Sequence, residues 1–78
     1  MPLFYFHLRE DGTIVVDEEG IELPDLSAAR EEAIAGARSI LSDEAKKGRL
    51  PLSFRVEVTD EAGDTVMSLI FADAVAIL

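Results

Sequence analysis

The segment PDLSAAREEAIAGARSILSDEAKKG, residues 24–48, decides the fold because it carries the clearest helical periodicity in the chain. Asp25 or Ser27 can cap its N-terminus, and Gly48 is a typical helix stop. Its apolar residues recur every three or four positions and form one stripe: Leu26, Ala29, Ala33, Ala37, Ile40 and Leu41. The segment therefore predicts one amphipathic helix, and the flanking chain must supply the surface against which its stripe packs.

Two strands are predicted before the helix, at residues 3–9 and 13–16, followed by a short extended piece at residues 21–23. The first strand alternates, with Phe4, Phe6 and Leu8 on one face and Leu3, Tyr5, His7 and Arg9 on the other. We expect the apolar face to meet the helix.

The turn at residues 10–12 is compatible with two registers of this first hairpin. A three-residue loop pairs Leu8 with Ile14. A two-residue Asp-Gly turn instead places Phe6 opposite Asp17 and leaves a carboxylate on the apolar face. Because a slip by one residue turns every side chain to the other face, we favour the three-residue loop.

A second hairpin is predicted after the helix, at residues 52–59 and 64–71, with its turn at residues 60–63. We expect Thr59 to pair with Asp64, because this register brings the apolar residues of both strands onto one face.

These elements predict the order β-β-α-β-β and the fold class α+β. We expect two layers, with one helix packed on a four-stranded, mainly antiparallel sheet. Residues 1–78 are expected to form a single domain, because a chain of this length has little core to divide. The apolar residues 72–78 leave three alternatives open: a helical turn that covers a sheet edge, a dimer contact, or a loosely ordered end.

The composition argues against several classes of protein. With no cysteine, the chain has neither a disulfide framework nor a thiolate metal site. Its formal charge of −9 opposes attraction to nucleic acid and to anionic lipid, so we expect neither as a partner, and it favours a basic protein. The acidity also has a simpler interpretation, since net charge keeps a small protein in solution. No segment resembles a signal peptide or a membrane span, which predicts a cytoplasmic location.

No motif for catalysis, cofactor binding or metal binding is recognisable. His7, the only histidine, lies near Asp17 and could act as a general base, but no Ser or Cys partner stands at a readable spacing. The acidic residues 17–19 lack the ligand spacing of a calcium loop. We therefore predict no enzymatic activity, no cofactor and no metal, with a small-molecule or enzymatic site at His7 and Asp17 as an alternative.

The sheet face opposite the helix is the candidate interface. We assign to it six residues: Tyr5, His7, Arg9, Val15, Arg55 and Ile70. Apolar and aromatic residues exposed together often mark an interface. The favoured hypothesis is a small acidic module that binds a protein partner or a second copy of itself through this face or through a strand edge.

Several motifs together resemble one family. They are FYFHLR at residues 4–9, DEEG at 17–20, LPDL at 23–26 and AREEA at 29–33. The combination resembles a family of short bacterial proteins described only as a domain of unknown function, which implies no particular activity. More remotely, a hairpin followed by an acidic, alanine-rich helix is similar to the partner-binding domain of HicB-type antitoxins, which implies a basic toxin as the partner.

Overall fold

The computed structural model describes all of residues 1–78. Its elements are β1 (Leu3–Glu10), β2 (Thr13–Val15), β3 (Ile21–Glu22), α1 (Leu26–Lys46), β4 (Arg55–Thr59), β5 (Thr65–Ile70) and a 3-10 helix (Phe71–Ala74). The predicted α+β class is confirmed, as is the placement of one helix between two hairpins. The extended piece before the helix forms β3, a two-residue fifth strand.

The sheet is antiparallel throughout, with the order β2-β1-β4-β5. β1 and β4 are central, and their pairing from Tyr5↔Thr59 to Arg9↔Arg55 joins the two hairpins side by side. β3 pairs with the start of β1 on the same edge as β2. Strands β2 and β3 therefore form one edge of the sheet, and β5 forms the other.

The three-residue loop predicted for the first hairpin is wrong. Leu8 pairs with Val15, and the turn consists of Asp11 and Gly12 alone. Both turn residues have positive φ, 36° and 96°, as expected for the two-residue turn whose twist best matches that of paired strands. Asp and Gly tolerate this conformation better than other residues, and this preference decides the register.

The carboxylate that this register brings to Phe6 does not lie on the apolar face. Asp17 Oδ2 instead accepts a hydrogen bond from the Phe6 backbone N–H at 3.0 Å. The side chain thus takes the place of a backbone acceptor along β1, so the objection to the two-residue turn does not hold.

The register predicted for the second hairpin is wrong by two residues. Val56 pairs with Leu69 and Val58 with Met67, and a bulge follows Val58. The turn is tightened by Asp60, whose Oδ1 accepts hydrogen bonds from two backbone N–H groups of the loop at 3.0 Å. Since a shift of two residues preserves the side-chain alternation, the predicted apolar face is still the one that meets the helix.

Helix α1 is capped at both ends, as its sequence predicts. The Asp25 carboxylate accepts a hydrogen bond from the Ala28 N–H at 2.8 Å. At the other end Gly48 has φ +80°, and its N–H donates to the Ala45 carbonyl at 3.0 Å. This left-handed glycine ends the helix in the way typical of a Schellman motif.

The apolar stripe of the helix is correct except at its first position. Ala29, Ala33, Ala37 and Leu41 are buried, whereas Leu26 is 46% exposed. Leu26 begins the helix, ahead of the first residue that is buried against the rest of the fold. The stripe therefore consists mainly of alanines, which allow the helix to approach the sheet closely.

The helix covers only part of the sheet. It packs against β4, β5 and the 3-10 helix. A helix is about 10 Å wide, and four strands spaced by about 4.8 Å extend beyond that width. Consequently Val56, Val58 and Leu69 are buried. On β1 only Phe4 is buried, whereas Phe6 and Leu8 are half-buried.

The chain continues from β5 into the 3-10 helix, which closes one end of the core. Phe71 is fully buried and contacts the Phe54 ring edge-on, with ring centroids 5.7 Å apart. Arg38 of α1 donates a hydrogen bond from Nε to the Ala74 carbonyl at 2.6 Å. The side chains of residues 75–78 beyond it are exposed. Loose order of residues 72–78 stays a prediction. No helix of the fold is both long and apolar enough to cross a bilayer.

Candidate functional site

The sheet face opposite the helix brings together five of the six residues assigned to the candidate interface. We call this surface the outer-face patch and define it by the residues Tyr5, His7, Arg9, Ile14, Arg55, Glu57, Ser68 and Ile70. Directly paired residues of antiparallel strands share a face, so the ladder pairs that link these residues place them on one side.

The assignment of Val15 to this face is wrong. Val15 pairs with Leu8 and therefore lies on the helix side of the sheet. The two-residue turn is the reason, because it exchanges the faces of β2 relative to the predicted register. Ile14 pairs with Arg9 and takes the place of Val15 in the patch. Had the preference of an Asp-Gly pair for the two-residue turn been given more weight, the sequence would have identified Ile14.

His7 lies at the centre of a fixed arrangement on the patch. Its Nδ1 accepts a hydrogen bond from the Asp17 backbone N–H at 3.1 Å, and its Nε2 lies 3.0 Å from Thr59 Oγ1. Because a backbone N–H can only donate, the proton of the neutral ring must reside on Nε2 and is donated to Thr59. The Tyr5 ring is parallel to the imidazole within 5°, at a centroid distance of 6.4 Å. Both nitrogens of His7 are thus used within the fold.

Asp17 organises the loop that follows β2. Besides the Phe6 N–H, its carboxylate accepts hydrogen bonds from the N–H groups of Glu19 and Gly20, both at 3.1 Å. Burial is the largest single influence and raises the pKa of Asp17. The three N–H donors and the neighbouring His7 together outweigh burial and hold this pKa below its ordinary value. The carboxylate is therefore a structural acceptor for the backbone.

Gly20 allows this loop to pack against β1. A Cβ at this position would lie 3.0 Å from a ring carbon of Tyr5 and 3.1 Å from the Phe4 carbonyl oxygen, and Gly20 has φ +74°. Both the close contact and the left-handed conformation require glycine. The loop therefore supports the Tyr5 ring from its side.

His7 and Asp17 do not form the acid-base pair that an enzymatic site would need. The imidazole is bonded to the backbone N–H of Asp17, while the Asp17 carboxylate bonds only to backbone N–H groups. The two residues also border different concavities: His7 borders a cleft beside the helix, and Asp17 borders a separate open recess at residues 16–21. No group of three His, Asp or Glu side chains is placed to hold a metal ion.

The charged residues of the patch are paired with neighbours on the sheet. Arg9 Nε lies 2.8 Å from Glu57 Oε1, and this ion pair and hydrogen bond lower the pKa of Glu57 from its ordinary value. Arg55 Nη1 lies 3.5 Å from Ser68 Oγ. The alternation of both strands with Val56 and Leu69 already predicts that Glu57 and Ser68 lie on this face, although neither is among the six residues assigned to the interface.

Comparison with protein families identifies the family to which the chain belongs. The family described as "Domain of unknown function (DUF6894)" matches residues 3–72, which include all five strands and the helix. The chain belongs to this family. The resemblance carried by the FYFHLR, DEEG, LPDL and AREEA motifs is thereby confirmed, and membership assigns no activity. Similarity to HicB-type antitoxins is not shown, and neither the curated proteins nor the solved structures searched contain a match.

Proposed function

We propose that this family member is a non-catalytic self-association module that dimerises through its outer-face patch. The observation that carries the proposal is a sheet face with no second layer, where aromatic and branched apolar side chains lie among paired charges. Sheets whose two faces are both polar need no further cover, but a face of this composition is typical of an interface. Two such faces can pack directly, as the sheets of a β-sandwich do.

The distribution of charge favours a second copy of the chain on this face. Arg9, Arg55 and Glu57 give the patch a formal charge of +1, so the remainder of this −9 chain carries −10. The excess of acidic residues therefore lies outside the patch. Two copies that meet at their patches do not bring this excess of negative charge into direct contact.

The rigidity of the patch also supports binding. His7 is held at both ring nitrogens, its ring lies beside Tyr5, and Arg9 is held by Glu57. Side chains that are already fixed lose less conformational entropy when a partner covers them. Aromatic and arginine side chains of this kind are the residue types that most often dominate interface energetics.

Two matched variants test this proposal. Ile14 is 44% exposed on the patch, and Leu26 is 46% exposed at the start of the helix. We expect Ile14→Glu to weaken dimerisation at least tenfold, because it places a carboxylate against the partner's apolar residues. Leu26→Glu adds the same charge outside the patch and should leave the dimer intact. Light scattering over a concentration series measures both.

Equal effects of the two substitutions would show that net charge, and not the patch, governs association. A dimer that survives Ile14→Glu but is lost in Leu26→Glu would move the interface to the helix side. Either result would overturn the proposed surface.

A further inference from the structure

A cleft opens where the helix fails to cover β1. It lies between α1 and the β1–β3 edge and has a volume of about 150 Å³. Phe6, Leu8, Ile21 and Ile40 form its apolar walls. Such a volume suits a molecule of about the size of benzene, since an apolar cavity of similar volume engineered in another protein binds benzene.

One acidic side chain borders this apolar space. Glu32 of α1 lines the cleft, is exposed, and has no hydrogen-bond or ion-pair partner elsewhere in the fold. The only other titratable residue that lines the cleft, His7, already has both ring nitrogens occupied. A ligand in the cleft would therefore encounter an apolar interior and a single free carboxylate.

Gly36 keeps the cleft open on the helix side. It lines the cleft one helical turn after Glu32, and a Cβ at this position would meet no atom within 4 Å. Side chains four residues apart on a helix lie on the same face, so a larger residue at position 36 would extend alongside Glu32. The open space at Gly36 is thus compatible with a ligand that contacts both Gly36 and Glu32.

We infer that the cleft binds a small organic cation, with an apolar body of about ring size against β1 and an ammonium group at Glu32. The overall charge of −9 raises the local concentration of such a cation. The inference does not rest on the proposed dimer, because His7 is the only residue that the cleft shares with the outer-face patch.

Titration of the protein with benzylammonium, monitored by the NMR signals of the protein, tests this inference. We expect saturable shifts in the signals of Phe6, Leu8 and Ile40, with a dissociation constant of about 1 mM for a ligand of so few atoms. Benzyl alcohol, which has the same shape without the charge, should bind about two- to fivefold more weakly. Benzoate should bind more weakly still, because it brings a negative charge to Glu32.

Two pairs of variants separate this site from general attraction to an acidic protein. Glu32→Gln should weaken benzylammonium binding about two- to fivefold, whereas Glu31→Gln, next to it but outside the cleft, should have no effect. Gly36→Leu should weaken binding at least tenfold by filling the cleft, whereas Ala35→Leu should not. Equal effects within either pair, or shifts spread over the acidic surface in place of the cleft, would overturn the inference.

Discussion

At the scale of single residues, Asp17 has the largest structural role. Its two carboxylate oxygens serve three backbone N–H groups on β1 and in the following loop. Loops that follow a short edge strand have few other contacts to hold them in place. One side chain here fixes the loop, and through its own backbone N–H it also orients His7.

Asp17→Ala should lower the free energy of unfolding by about 1–3 kcal/mol, because it leaves backbone donors without their acceptor. Urea denaturation measures this change. Glu18→Ala is the matched control, since Glu18 is exposed and forms no side-chain hydrogen bond. Equal stabilities of the two variants would contradict the role assigned to Asp17.

The pKa of Asp17 predicts how the free energy of unfolding depends on pH. The folded state lowers the pKa of Asp17 below its ordinary value of 3.8. Its contribution is therefore fully present above about pH 5 and is lost as the pH falls through the folded-state pKa. Asp17→Asn should reduce this loss of stability in acid, which denaturation of both proteins at a series of pH values between about 2 and 7 would measure. A difference in the free energy of unfolding between the two proteins that stays constant over this range would show that Asp17 does not contribute to the pH dependence.

At the scale of the elements, the helix was the most predictable part of the fold. Its period and its Gly48 stop are local signals and are correct, and Asp25 is the one of the two cap candidates that caps the helix. The registers of both hairpins were wrong because each is set by its turn. The conformational preference of Asp11 and Gly12 sets the first, the hydrogen bonds of Asp60 within its own turn set the second, and neither can be deduced from alternation alone.

Two glycines in different elements should respond in opposite ways to alanine. Gly36→Ala should raise the free energy of unfolding by about 0.5–1 kcal/mol, because alanine favours the helix and its Cβ meets no atom within 4 Å. Gly20→Ala should lower it by about 1–3 kcal/mol, because φ is +74° and the Phe4 carbonyl lies 3.1 Å from the new Cβ. Thermal denaturation of both variants distinguishes them, and a stabilising Gly20→Ala would contradict the packing described for the loop.

At the scale of the whole molecule, a single helix on a wider sheet leaves two surfaces uncovered. One is the outer-face patch, and the other is the cleft beside β1. Sequence alternation was enough to find most of the patch, since every residue of it except Ile14 follows from strand faces alone. It could not find the cleft, because a helix's position across a sheet depends on packing against β4, β5 and the 3-10 helix.

The net charge of the chain predicts how dimerisation through the patch depends on salt. Two chains of −9 repel each other, and dissolved salt screens that repulsion over about 8–10 Å at ordinary ionic strength. Dimerisation through an almost neutral patch should therefore strengthen as salt is added. An interface held together mainly by ion pairs between the copies would show the opposite dependence.

The most direct test of the central claim is the solution mass of the unmodified chain, measured by light scattering across protein concentration at low and at high salt. The chain has a mass of 8.5 kDa. We predict a concentration-dependent rise to twice that mass, reached at lower protein concentration when salt is high. A mass of 8.5 kDa at every concentration and in both salt conditions would contradict the account.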